Sequence, residues 1–274
     1  MTIAEWLSMA TEKLRALEID SARLDAELIL AHTLRKPRTF LHAHPEEPLD
    51  ARAHEIAEAR LALRVDRTPL AYIVGHKDFY GRQFKTTPAA LIPRPETESM
   101  IELLRELLPD AVPLVKERRT LVDVGTGTGI IGITAKLEWP ELDVTLTDIS
   151  QQALALARQN AASLEADVAF HKGDLLRGYG MPIDIIVSNP PYVDRAWEVS
   201  PETRAEPDVA LFAANDGLAL IRQLLTQAAQ LLRAGGSLLL EADERQHAAI
   251  IQAAHDQGLE YVTSLGLILR FTKA

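Results

Sequence analysis

Ile183-Asp184-Ile185-Ile186-Val187-Ser188 runs straight into Asn189-Pro190-Pro191-Tyr192. A short apolar run rich in β-branched residues reads as a buried strand, and two prolines cannot continue it. Pairing must stop at Asn189, which presents its side chain and the neighbouring carbonyls at the carboxyl end of the strand. In an open α/β sheet that is where ligands bind. An Asn amide oxygen beside a proline carbonyl makes two acceptors, matched to a planar NH2 group that offers two donors.

Outward from this strand the chain alternates. Strands are expected near 120–124, 144–148, 168–172, 183–188 and 237–241, with helices near 129–138, 151–164, 217–232 and 244–257. Alternation of this kind predicts a mostly parallel sheet covered by helices on both faces. Two final strands, about 259–264 and 267–272, are separated only by Leu265-Gly266 and so predict a tight antiparallel hairpin. Upstream, Ile3, Trp6, Leu7, Ala10, Leu14 and Leu17 follow helical spacing, as do Leu24, Leu28, Ala31 and Leu34. Another helix is expected from about Asp50 to Val65, so the first third reads as a small helical bundle. Aromatics on both sides of Gly81 in Lys77–Thr86 predict a β-hairpin, and Pro93 and Pro95 precede a helix over 96–108. The expected organisation is a helical bundle at 1–75, a β-hairpin linker at 76–92 and an α/β domain at 93–274.

Composition narrows the classes. The 274 residues are 47% apolar and 25% charged, ordinary for a globular protein, and the absence of cysteine excludes disulfides and thiolate metal sites. Met1 to Ala10 lacks a basic segment leading into an apolar core, and no apolar run approaches a membrane span, so a cytoplasmic location and no membrane partner are expected. Up to Pro95 there are 14 Lys and Arg against 13 Asp and Glu; from Glu96 on, 15 against 26. So acidic a main domain argues against a nucleic-acid duplex as a stable partner. His32, His42, His44 and His54 lack a ligand framework and read as surface or packing residues, so no metal is expected. Arg35, Lys36 and Arg38 form a small basic run that reads as a solvated face.

The first α/β strand ends Leu121-Val122-Asp123-Val124 and enters Gly125-Thr126-Gly127-Thr128-Gly129-Ile130-Ile131-Gly132. Glycines let the chain turn sharply and let a ligand approach the backbone, and from Gly127 the spacing is G-x-G-x-x-G. Asp148 ends the second strand, where a carboxylate can accept both hydroxyls of a ribose. These features indicate a nucleoside-containing ligand, and both NAD and S-adenosylmethionine qualify. Three observations favour the methyl donor. Asp123 lies inside the first strand, where it faces the donor's ammonium, orders the loop, or simply bonds loop amides. Asp174, just beyond the third strand, is a candidate contact for an adenine amino group or an ordinary loop acid. The Asn189–Tyr192 run has no counterpart in nicotinamide chemistry.

The whole pattern resembles the class I S-adenosylmethionine-dependent methyltransferases, with a Rossmann-like sheet. More narrowly it is similar to the HemK/PrmC family, the glutamine methyltransferases of peptide chain release factors. The segments that carry the resemblance are Thr68–Gly75, Phe79-Tyr80-Gly81, Leu91-Ile92-Pro93-Arg94-Pro95-Glu96-Thr97-Glu98, the Asp123–Gly129 turn and Asn189–Tyr192. The resemblance implies that Gly125, Thr126, Gly127, Thr128, Gly129, Asp148, Asp174, Leu175 and Asn189 line the site of S-adenosyl-L-methionine, which leaves as S-adenosyl-L-homocysteine. It implies that Asn189, Pro190, Pro191 and Tyr192 hold the substrate glutamine, with Asn189, Pro190 and Tyr192 serving the transfer. Leu175 stands where the family usually has an aromatic, and Arg204-Ala205-Glu206-Pro207 lacks the aromatic usual before Glu-Pro.

A release factor is the protein substrate so implied, with the bundle recognising it, and a monomer is expected. Adenine N6 or guanine N2 would suit the same acceptor pair, and a related group modifies a ribosomal protein, so both stay open as alternatives. A donor-binding or assembly protein without turnover is a third reading, which an intact Asn-Pro-Pro-Tyr beside a full glycine turn disfavours.

Overall fold

The computed structural model describes residues 1–108 and 119–274. Two compact units emerge: Met1–His76 with Val199–Ala205, and Lys77–Glu198 with Glu206–Ala274.

The first unit contains five helices: α1 (Ile3–Arg15), α2 (Ala22–Leu34), α3 (Arg38–Ala43), α4 (Ala51–Val65) and α5 (Leu70–Val74). Thr2 and Glu5 close a reciprocal capping box at the start of α1, satisfying two otherwise orphaned N–H groups. Asp50 caps α4 by accepting from the Ala53 N–H at 2.7 Å. The apolar spacing buries Trp6, Leu14, Ile29, Leu30, Leu41 and Leu61 in one core. Arg64 is buried too, its charge divided between Asp25 at 2.7 Å and Glu202 at 3.0 Å. Glu202 also accepts from Arg67, which places the Val199–Ala205 stretch in this unit.

The hairpin strands are β1 (His76–Phe79) and β2 (Arg82–Lys85). The second unit then builds a seven-stranded sheet from β3 (Thr120–Val124), β4 (Asp143–Asp148), β5 (Ala169–Lys172), β6 (Ile183–Ser188), β7 (Leu232–Glu241), β8 (Leu259–Leu265) and β9 (Ile268–Lys273). Its order is β5-β4-β3-β6-β7-β9-β8. The first five of these pair in parallel, while β9 runs antiparallel to both β7 and β8. The expected mostly parallel sheet with a terminal antiparallel hairpin is therefore present. Helices α6 (Glu98–Leu107), α7 (Ile130–Glu138), α8 (Gln151–Ser163), α9 (Asp208–Leu211), α10 (Ala219–Leu231) and α11 (His247–His255) accompany it.

Side chains alternate across the sheet because successive strand residues point to opposite faces. Leu121, Ile185 and Val187 join Ile101, Leu104 and Ile133 in one core. Val122, Val124 and Ile186 join Leu224, Leu238 and Ile250 in the other. The central strands β3 and β6 thus read as nearly continuous apolar runs because both of their faces are buried.

Some elements depart from the periodicity. A single 3-10 turn, Pro95–Thr97, with proline at its first position, precedes α6. Strand β7 begins at Leu232, five residues before the expected Ser237. Gly235 and Gly236 conceal this part of the strand, the first at φ +75°. Short α3, α5 and α9 span six, five and four residues, too few to leave a helical repeat. Among the described residues, no helix is long and apolar enough to cross a membrane.

Candidate active site

Sheet order reverses at β3: the chain proceeds through β4 and β5 on one side, and through β6 and β7 on the other. Such a reversal opens a crevice at the carboxyl ends of the central strands. A cleft lies there, lined by Gly125, Gly127, Asp148, Asp174, Leu175, Asn189 and Pro191, and also by Ala89, Ile149 and Val209. Seven of the sequence-derived candidates therefore share one cavity.

The glycine turn is held from both sides by carboxylates. Asp123 Oδ2 accepts from Thr126 Oγ1 at 2.6 Å and from the Gly132 N–H at 2.9 Å. Asp123 is fully buried, and desolvation pushes its pKa up to about 6 against the pull of those two donors. Of the alternatives for this residue, loop ordering is what its bonds perform. Asp148 Oδ2 accepts from the Gly127 N–H at 3.0 Å, and Oδ1 from the Ser150 N–H at 2.8 Å. Burial raises its pKa while the amides of Ser150, Gly127 and Ile149 draw it back. Each oxygen keeps a lone pair for a further donor, so the carboxylate can still accept two hydroxyls.

Gly125, Gly127 and Gly129 all adopt positive φ, at +69°, +56° and +87°. A Cβ on Gly125 would meet nothing within 4 Å, whereas one on Gly132 would stand 2.2 Å from Leu146 Cδ2. The first glycine keeps the cleft open; the last lets α7 press onto the sheet. Thr126 and Thr128 are buried behind the turn, and the Thr128 carbonyl accepts from Asn160 Nδ2 at 2.8 Å. Asn160 also bonds both backbone groups of Lys85, joining β2 to the turn, a role carried by contacts 75 residues apart.

Across the cleft, Leu175 sits in the left-handed region at φ +54°. Its carbonyl accepts from Thr147 Oγ1 at 3.1 Å, and the following Leu176 N–H donates to Gln227. These bonds hold a strained backbone that turns Leu175 toward the cavity. Asp174 lies beside it, with Gln223 Nε2 at a long 3.5 Å.

Asn189 stands at the tip of β6. Its Nδ2 donates to Thr97 Oγ1 at 3.3 Å, which fixes the amide plane, and among the described residues Oδ1 takes no hydrogen bond. Pro190 is buried, and Pro191 and Tyr192 are half-buried. Tyr192 Oη donates to Glu241 Oε1 at 3.3 Å, and its backbone carbonyl accepts from Gln246 Nε2 at 2.9 Å. Burial and the neighbouring Glu241 carboxylate raise the Tyr192 pKa, so the phenol stays protonated. Leu91–Glu96 is held through Glu206, which is buried and bonds both the Ile92 N–H and the Arg94 guanidinium. Glu241, Gln246 and Asn160 have no local sequence signature, and Thr97 lies in one that assigns it no role, because their partners are brought in by the fold.

Known proteins share this chain's domains and fold. Residues 5–75 match the model of the PrmC N-terminal domain, and residues 98–204 that of the methyltransferase small domain. Among solved structures, a methyltransferase from Pyrococcus furiosus is 18% identical with a TM-score of 0.53, over 79% of this chain and 98% of that one, and shows a common fold. A release factor glutamine methyltransferase of Deinococcus radiodurans is 42% identical over 89% of this chain and 87% of its own length. One of the same name from Koribacter versatilis is 42% identical over 88% and 86%. Identity at that level across both matched domains means that the chain belongs to the release factor glutamine methyltransferase family.

Proposed function

We propose that this protein transfers a methyl group from S-adenosyl-L-methionine to the side-chain amide nitrogen of a glutamine, that of the Gly-Gly-Gln motif of a peptide chain release factor. The observation that carries the reading is the Asn189 Oδ1 at the β6 tip, unbonded among the described residues and in the same cleft as the glycine turn and Asp148. Family membership supplies the substrate class.

The cleft fits the donor. Gly125 leaves open space at a backbone that a ligand can approach, and the Asp148 carboxylate suits a ribose diol. Exposed Ile149 and the turned-in Leu175 offer apolar faces to a purine, with Asp174 beside them to accept from its amino group. Bound there, S-adenosyl-L-methionine supplies an activated methyl and leaves as S-adenosyl-L-homocysteine.

A carboxamide nitrogen is a poor nucleophile because its lone pair is delocalised into the carbonyl. In this reading Asn189 Oδ1 and the Pro190 carbonyl accept its two N–H bonds and aim the nitrogen. They also stabilise the positive charge that grows on it during transfer. Tyr192 packs on the planar amide and excludes water. The nitrogen is acidic once its conjugation is broken, so it sheds a proton without a strong base. Residues 1–75 serve to recognise the protein substrate, 76–92 link, and 93–274 carry the transfer. The enzyme acts as a cytoplasmic monomer with no stable nucleic-acid or membrane partner, in keeping with the acidic main domain.

Incubation with labelled donor and a release factor, followed by mass spectrometry of the Gly-Gly-Gln peptide, tests this. One added methyl on the glutamine is the expected outcome. Label appearing only in RNA or in ribosomal protein would replace the reading with one of its alternatives.

A further inference from the structure

On the strand beside the one that leads into Asn189 lies a buried carboxyl, that of Glu241. β6 and β7 are parallel with Ser188 level with Leu240, so Glu241 ends β7 one strand away from the Asn189 tip. Glu241 is 1% exposed, and among the described residues its Oε2 has no hydrogen-bond partner. Its Oε1 accepts from Tyr192 Oη. Thr97, fully buried, stands between the two strand tips: its Oγ1 accepts from Asn189 Nδ2, and its hydroxyl group lies against the Glu241 carboxyl.

We propose that Glu241 is a positioning residue that acts through Thr97 and Tyr192 to orient the Asn189 amide toward the substrate nitrogen. The inference rests on the methyl-transfer reading above. An Asn amide can be seated in two ways that exchange its oxygen and nitrogen, and neighbouring hydrogen bonds choose between them. Ionised Glu241 is an acceptor only, so the Thr97 hydroxyl proton turns to it and leaves the Oγ1 lone pairs facing Asn189. Only Nδ2 fits there, and Oδ1 is thereby directed outward. Protonated Glu241 becomes a donor, and Thr97 is then free to donate to Asn189 instead. That turns the amide end for end and sets Nδ2 against the substrate N–H groups.

The switch falls within an accessible range. Burial pushes Glu241 up to about 7, while the neighbouring Thr97, Tyr192 and Asn189 side chains pull it down and the Glu96 charge raises it. Asp243 and Arg94 complete the charges around Tyr192. The competent, ionised form therefore prevails above neutrality, and turnover is lost as pH falls.

The experiment measures kcat and KM for methylation of a release factor across roughly pH 5.5 to 9, with donor affinity by calorimetry. Wild type should show an acid limb in kcat centred near 7. Glu241→Gln, which cannot titrate, should lose that limb and about tenfold in kcat, with donor affinity changed by less than about twofold. Tyr192→Phe removes one bond to the carboxylate and should move the limb to higher pH, which keeps the proposal testable if Glu241→Gln does not fold. A Glu241→Gln enzyme with the wild-type limb and kcat overturns the proposal, as does a Tyr192→Phe enzyme whose limb stays put. If wild type itself methylates no glutamine, the functional reading has failed instead.

Discussion

Gly217 touches no candidate ligand, yet its replacement by alanine should disable the site. It follows Asn215 and Asp216, both also at positive φ, and itself adopts φ +79°. A Cβ there would stand 2.0 Å from the Tyr192 carbonyl oxygen and 2.5 Å from Gln246 Nε2. Ordinary contact begins at 3.4 Å, so the Tyr192 backbone must retreat by roughly 1 Å or more and lose the Gln246 bond that holds it. A displacement of about 1 Å in a positioned catalytic group costs on the order of a hundredfold in rate. Left-handed backbone adds about 1–2 kcal/mol of instability. Gly258→Ala separates the two effects, because Gly258 has φ +77° with nothing within 4 Å of its added Cβ. Both variants should lose the stability that left-handed strain costs by denaturant titration, and Gly217→Ala should lose more because of its clash. Only Gly217→Ala should lose about a hundredfold in kcat/KM for methyl transfer. Equal kinetics in the two variants would refute the link from Gly217 to Tyr192.

Asp148→Asn should weaken donor affinity by about tenfold to a hundredfold in calorimetry, since it removes a charged acceptor from both the Gly127 N–H and the bound diol. Asp123 titrates at about 6 in the fold, raised mainly by burial from 3.8. Its protonated form is therefore favoured on folding: that contribution is complete below about pH 4 and is lost as pH rises through about 6. Asp123→Asn should flatten this part of the stability–pH curve by up to about 3 kcal/mol, as read by urea titrations at several pH values. An unchanged slope would show that the carboxyl ionises no differently in the folded state.

What the chain discloses before folding is what depends on neighbours in sequence. The β3 and β6 boundaries were legible because unbroken apolar runs end in a glycine turn and in two prolines. The glycine turn, Asp148 and Asn189 were legible as one cleft because each directly follows or ends a strand, and parallel strands bring those ends together, whereas Leu175 was reached only through the family resemblance. The early start of β7 was hidden by Gly235-Gly236, which carry no side chains to alternate. Thr97 was unreadable as a support for Asn189, from which it is 92 residues distant, and Glu241 as the acceptor for Tyr192, 49 residues away. The same holds for Gly217, whose need to be glycine comes from a carbonyl on another segment.

The most direct test of the account concerns Asn189 itself. Asn189→Ala and wild type would be compared for single-turnover methylation of the Gly-Gly-Gln glutamine, with donor affinity measured on the same preparations. The account predicts a loss of at least about a hundredfold in the transfer rate with donor affinity changed by less than about threefold. Near-normal transfer by Asn189→Ala would contradict it, since no grip on the amide would then depend on that side chain.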